Sequence, residues 1–357
     1  MATKSRFLSL LPVGVLLAAG ALLDPFPARA DAAPGVTDAD AQQLLRFSSG
    51  WSFLVWPAGS TLTGCFFAGD SALRAQLVAS GEDWARIANI KFDFGRPPAY
   101  RDCDGAKPSD IRVAFRPEFG GQSRIGTRAL DANPQRPTVY IGVGADVGAT
   151  TRTVPEIKGT MLHELGHVLG LPHEHNHPDS PCPGEFRLAD ICGRDGASIA
   201  ADVGETQPRL EAMIRLETVT RLAGPQSVMS RPYDVDSIMH YRFHAGLLKS
   251  GVASRCHSRR PREISPGDRA RLAILYPGEP DQQLQLLRHE GQALAAAMTA
   301  HGVSGEAFDR IIEVAETDLR RRFPALELRI DRQLLEVPTI PAVEPSLLQV
   351  AASPACR

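Results

Sequence analysis

The chain has 357 residues, 43% of them apolar, which is long enough and apolar enough to bury a sizeable core. Its formal charge is −2 at neutral pH. That near-neutral balance gives no case for binding nucleic acid or an anionic membrane surface.

Residues 1–30 read as a secretory signal. Lys4 and Arg6 form a basic start, residues 7–23 an apolar run, and Ala28-Arg29-Ala30 a small-residue cleavage site before Asp31. The rival reading is a membrane anchor, but the run is short for a spanning helix, and Pro12, Gly14 and Gly20 weaken it. Cleavage removes Lys4, Arg6 and Arg29 from the 39 basic residues and Asp24 from the 41 acidic ones, which leaves a formal −4. The expected product is secreted, extracellular or periplasmic, with no stable membrane association. Residues 31–50 read as a short flexible leader, and residues 51–277 have the composition of one globular domain. All six cysteines (Cys65, Cys103, Cys182, Cys192, Cys256, Cys356) follow the signal, and in an exported protein an even number favours disulfides. Cys65–Cys103, Cys182–Cys192 and Cys256–Cys356 form one plausible set among the fifteen connectivities that six cysteines allow.

Strand-like and helix-like stretches alternate through the first half of the domain. Residues 61–67 read as a strand, followed by a helix to about residue 88. Asp70 or Ser71 is its cap, and Leu73, Leu77, Trp84 and Ile87 form its inner face. Residues 89–94, 111–115 and 138–143 are further strands. A helix over residues 154–169 comes next, then a polar stretch with one helix around residues 206–222. A closing helix follows over residues 263–276, with Ser265 as cap and Asp268 in its first turn. The pattern predicts an α/β (α+β) domain with a twisted mixed sheet.

The helix at 154–169 carries the informative motif: His163-Glu164-Leu165-Gly166-His167, then Gly170 and His173. Residues four apart lie on one helix face, so the rings of His163 and His167 can reach a single metal ion. Glu164 points about 100° away around the helix, beside that ion, placed to take a proton from water. Gly170 can end the helix in a left-handed conformation, and the returning chain brings His173 to a third ligand position. Three protein ligands leave a fourth tetrahedral position for water, which is the pattern of a catalytic zinc ion. The expected cofactor is therefore one Zn²⁺.

Downstream, Pro232-Tyr233-Asp234 leads into Ser237-Ile238-Met239-His240-Tyr241. Following the first motif, this segment resembles the Met-turn of the metzincin zinc endopeptidases, and most of all their astacin-like branch. Asp110-Ile111-Arg112-Val113-Ala114-Phe115, Ser123-Arg124-Ile125-Gly126-Thr127, Ile264-Ser265-Pro266-Gly267-Asp268 and Leu275-Tyr276-Pro277 add to the likeness, which spans residues 51–277. The resemblance implies a zincin fold with a five-stranded mixed sheet, an active-site helix and a Met-turn. It implies that His163, His167 and His173 bind zinc and that Glu164 is the general base and acid. Met239 would be a floor under the histidines, and Tyr241 an additional, displaceable ligand. His177 stands where the branch has an arginine, which leaves open how Glu174 is charge-paired. His175, His177 and His240 read as loop residues rather than ligands. Phe67-Ala68-Gly69-Asp70 is similar to the branch's latency motif, but its place before a helix makes Asp70 a cap.

The implied activity is hydrolysis of internal peptide bonds in a protein or peptide substrate by a monomeric enzyme. Ile125-Gly126-Thr127 is the candidate sheet edge for an extended substrate. Two other readings stand beside it: a zinc-binding recognition protein without activity, and a zinc hydrolase of a non-peptide substrate. Residues 278–357 read as a helical C-terminal extension that packs on the domain, binds a partner or is removed.

Overall fold

The computed structural model describes residues 54–116, 121–142, 154–177, 179–202, 206–208, 210–211, 232–241, 243–257 and 261–279, with isolated positions between 282 and 317. The expected signal and leader, most of the C-terminal extension and most of the helix expected at 206–222 lie outside the described residues.

Among the described residues five strands form one sheet: β1 (Thr61–Phe66), β2 (Lys91–Asp93), β3 (Ile111–Phe115), β4 (Gly121–Ser123) and β5 (Val139–Ile141). Their order is β2-β1-β3-β5-β4, and every pair is parallel except β4 with β5. The expected mixed five-stranded sheet is therefore present. The central strand β3 is buried at all five positions, the Arg112 guanidinium donating to the Ser109 and Arg136 carbonyls among four apolar neighbours, as in a strand covered on both faces. β4 is an edge, running antiparallel with Gly121 opposite Ile141 and Ser123 opposite Val139.

Helix α1 (Ser71–Ala85) crosses between β1 and β2. Asp70 is its cap, the carboxylate accepting from the Leu73 amide at 2.8 Å. Leu73, Leu77 and Trp84 are buried, and Ile87 packs half-buried beyond the last turn. Helix α2 (Val154–Val168) lies against α1 and the sheet. Its Ile157, Met161, Leu162, Leu165 and Val168 face the core, each worth roughly 1.5–3 kcal/mol on burial. The indole Nε1 of Trp84 donates to the Leu162 carbonyl at 3.0 Å, which ties α1 to the middle of α2.

Beyond α2, the described residues include three short helices, α3 (Cys182–Glu185), α4 (Leu188–Ile191) and α5 (Gly196–Asp202). They surround a second apolar cluster that includes Phe186, Ile191, Phe243 and Leu247. Helix α6 (Pro266–Leu275) closes the domain, and Ser265 and Asp268 form a reciprocal capping box at its start.

Two expectations need correction. Residues Ile125-Gly126-Thr127 are not a sheet edge. Gly126 adopts φ 49°, a left-handed conformation that ends extended structure, and the chain enters a 3₁₀ helix at Gly126–Asp131 with Gly126 and Thr127 buried. The edge is β4, just before it. The disulfides also differ. Cys65–Cys103 is present, but Cys182 bonds Cys256 across 74 residues rather than Cys192, and so neither Cys182–Cys192 nor Cys256–Cys356 exists. Cys192 is disulfide-bonded as well. In the fold Cys182 and Cys256 share the second apolar cluster, so tertiary packing overrides closeness in sequence.

Candidate metal centre and active site

Helix α2 ends at its glycine as its sequence demands. Gly170 has φ 88°, its amide donates to the His167 carbonyl at 2.8 Å, and the Leu171 amide reaches back to Gly166 at 2.9 Å. This is a Schellman-type closure, and only a residue without Cβ enters it without strain. The chain then turns, and His173 returns to the helix face that carries His163 and His167. Ring centroids of these three are 4.8 Å (His163–His167), 5.3 Å (His163–His173) and 4.6 Å (His167–His173) apart. Among the described residues they form the one group of three or more possible ligands, with ligand atoms all within 4.8 Å of one another.

The hydrogen bonds of two rings fix their tautomers. His163 Nδ1 lies 2.8 Å from the Ile238 carbonyl and His167 Nδ1 lies 2.7 Å from the Leu171 carbonyl. A carbonyl can only accept, so each Nδ1 carries the proton and each Nε2 keeps its lone pair. The His167 Nε2 faces the His173 Nε2 at 3.0 Å. Burial, reinforced by the neighbouring imidazoles, lowers His167 to about 3 and takes His173 well below its ordinary value. His167 and His173 are therefore uncharged, and the three rings bring their ligand atoms to a common point. A divalent, nitrogen-preferring cation fits that donor set.

Glu164 is 3% exposed, and its Oε2 accepts from the Ser123 hydroxyl of β4 at 2.7 Å. Burial pushes its carboxyl up to about 8, against the lowering effect of the Ser123 bond. A cation beside it would draw that value down again. A Cβ on Gly121 would stand 2.2 Å from Glu164 Oε1, so the edge strand can lie this close only with glycine there.

Met239 is fully buried, and a Cβ on Gly166 would meet its sulfur at 2.4 Å. The thioether therefore fills the space that the glycine leaves beside His167. The Tyr241 ring stands 4.0 Å from the His173 ring and 5.9 Å from that of His163, centroid to centroid. His175 and His240 are buried in the same aromatic cluster, with rings 5.1 Å from His173 and 5.6 Å from Tyr233 respectively. His240 is engaged at both nitrogens, by the Tyr241 carbonyl and the Tyr233 hydroxyl at 2.6 Å each. The Asp179 amide donates to His177 Nδ1 at 3.0 Å.

Sequence reasoning did not single out three further participants. Ser123 entered only through a family resemblance, because three residues opening on glycine carry no strand pattern. Asp268 was read only as a first-turn carboxylate and as part of a segment in the family resemblance. Arg271 had no signal at all; it pairs with buried Glu174 across 97 residues.

No family model matches the chain, and no curated protein matches it. Among solved structures it is similar to myroilysin, at 23% identity over 65% of this chain and 99% of that one, with a TM-score of 0.45. A second myroilysin structure has 24% identity over 63% and 86% of the two chains at a TM-score of 0.43. High choriolytic enzyme 1, a hatching enzyme zinc-protease from Oryzias latipes (medaka fish), has 16% identity over 63% of this chain and 95% of that one at 0.38.

Proposed function

We propose that the chain is an astacin-like metzincin, a zinc-dependent endopeptidase that hydrolyses internal peptide bonds. The observation that carries this reading is the convergence of three imidazoles beside a buried carboxylate that is itself anchored to a sheet edge. His163, His167 and His173 would hold one zinc ion. Bound there, zinc supplies Lewis acidity, which polarises a carbonyl and acidifies water.

The chain's own groups do the rest. The β4 edge offers backbone groups to an extended substrate, which favours cleavage within a chain over removal of terminal residues. Glu164 takes the proton of the attacking water. With Oε2 accepting from Ser123, Oε1 is the oxygen that receives it. The same carboxyl then delivers the proton to the leaving amine nitrogen. The Tyr241 hydroxyl donates to the oxyanion that develops on the former carbonyl. Met239 holds the α2 helix and the Met-turn together from below.

The enzyme is a secreted monomer in this reading. A basic start, an apolar run and a small-residue cleavage site support export, and the disulfides Cys65–Cys103 and Cys182–Cys256 support an oxidising destination.

The test is cleavage of casein and of labelled internal peptides by the purified chain, before and after chelation and after zinc is restored, beside Glu164→Ala and Tyr241→Phe. Chelation and Glu164→Ala are expected to abolish cleavage, and Tyr241→Phe to slow it about tenfold with zinc content unchanged. Cleavage indifferent to both chelator and Glu164→Ala would sink the mechanism. Full zinc occupancy with no peptide cleaved would point to a recognition protein or another substrate class.

A further inference from the structure

Helix spacing accounts for the mutual placement of His163 and His167 on α2, but not for the rotation of the His163 ring or for the position of His173, which lies beyond the Gly170 turn. Both are held from outside, and both lines of contact lead to one helix. The acceptor that orients His163 is the Ile238 carbonyl, 75 residues away. Ile238 is held in turn by Asp268 of α6, whose Oδ2 accepts from the Ile238 amide at 2.8 Å while its Oδ1 accepts from the Ser237 hydroxyl at 2.5 Å. Three residues on, and so on the same helix face, Arg271 reaches Glu174, the residue after His173. Its Nη1 donates to Glu174 Oε2, and its Nη2 to Oε1 at 3.3 Å. Both partners are almost wholly removed from solvent, at 1% and 0% side-chain exposure.

Glu174 is also fixed from the Met-turn side. Its Oε1 accepts from the Asp234 amide at 2.8 Å, and its own amide donates to the Met239 carbonyl at 3.0 Å. A third contact comes from Tyr276, just past α6, whose hydroxyl donates to the Leu169 carbonyl at the end of the motif helix at 2.9 Å. The closing helix and the residue after it thus meet the Met-turn, the residue after His173 and the end of the motif helix.

We infer that Asp268 and Arg271 are positioning residues of the histidine cluster, Asp268 setting His163 through Ile238 and Arg271 setting His173 through Glu174. This rests on the reading of the three histidines as a zinc site. A capping box needs Asp268 only for the Ser265 amide, so its bonds to Ser237 and Ile238 go beyond stabilising α6. A buried ion pair is weak evidence for stability in itself, since apolar replacements of both partners are often neutral. What the pair does here is hold two separate loops and a helix in one register. Partners that orient metal ligands from outside typically change metal affinity 10–100-fold when removed.

The test is the zinc dissociation constant of the full chain, from chelator competition, for wild type, Asp268→Asn and the double variant E174Q/R271M. The double variant leaves no unpaired buried charge and so keeps the fold accessible. Leu73→Ala, in the α1 core away from this network, serves as a destabilised control. Both test variants are expected to bind zinc 10–100-fold more weakly at a temperature where circular dichroism shows them folded, and Leu73→Ala to stay within about twofold of wild type. Zinc binding within about threefold of wild type in both test variants, or affinity that tracks stability alone across all three, would overturn the inference. So would failure of both test variants to fold, which would make the network purely structural. A wild-type chain that takes up no zinc would instead strike at the proposed function, which separates the two failures.

Discussion

The hydroxyl of Ser123 donates to Glu164 Oε2 at 2.7 Å, so the outermost strand of the sheet and the carboxylate of the motif helix are fixed to each other. A hydrogen bond to a charged group is worth about 1.5–3 kcal/mol. Ser123→Ala is therefore expected to lower kcat about 10–100-fold with zinc content unchanged, and Ser123→Thr to recover part of the loss. Steady-state kinetics beside metal analysis checks this. Equal kcat in Ser123→Ala would show that the bond does not orient the base.

Burial raises Glu164 from 4.5 to about 8, and the sign of its linkage follows. Between those values the zinc-free folded state holds a proton that the unfolded chain has released, so stability falls as pH rises through this window. His167, lowered from 6.5 to about 3, acts in the other direction. The unfolded chain takes up its proton first, so stability is full above about 6.5 and is lost as pH falls toward 3. Glu164→Gln should remove the first effect alone. The zinc-free variant is expected to be more stable than wild type by roughly 1–3 kcal/mol at pH 8, with its stability maximum moved to higher pH. Urea denaturation of chelated protein from pH 5 to 8.5 measures this, and superimposable profiles would count against it.

Gly170→Ala tests the turn that returns His173 to the cluster. Helix propensity favours alanine by about 1 kcal/mol, but that preference belongs to a helix interior. At φ 88°, and with a Cβ 3.0 Å from Val55 Cγ1, strain of about 1–2 kcal/mol and crowding prevail. The substitution is expected to lower stability by about that amount and to weaken zinc binding as well. A stabilised variant with unchanged zinc affinity would refute it.

The Cys182–Cys256 bridge closes a loop of 74 residues and lies against the Met-turn, with Cys182 Sγ 3.8 Å from His240 Nε2. Replacing both cysteines by alanine is expected to cost about 2–4 kcal/mol in denaturant unfolding, from lost loop-closure entropy in the unfolded chain. A cost below about 1 kcal/mol would mean that packing around Phe186 and Phe243 holds this region without the bridge.

What the sequence determined by itself was whatever depends on residues within a turn or two of one another. His163 and His167 share a helix face because 3.6 residues make a turn, and Gly170 ends that helix because alternatives to glycine are strained there. Asp70 and Ser265 cap helices through bonds three residues long. The strand at Ile111–Phe115 was legible from its β-rich composition. Tertiary structure decided whatever depends on a partner far along the chain. Gly121–Ser123 has no strand pattern of its own and is extended because β5 pairs with it, whereas Ile125–Thr127, with better composition, curls away at Gly126. Cys182 found Cys256 rather than its near neighbour, because both lie in one apolar cluster. Where His177 left Glu174 without an evident partner, Arg271 supplied one from 97 residues away. Local rules could place the histidines on a helix; only the packing of α6 against that helix and the Met-turn could say what holds them still.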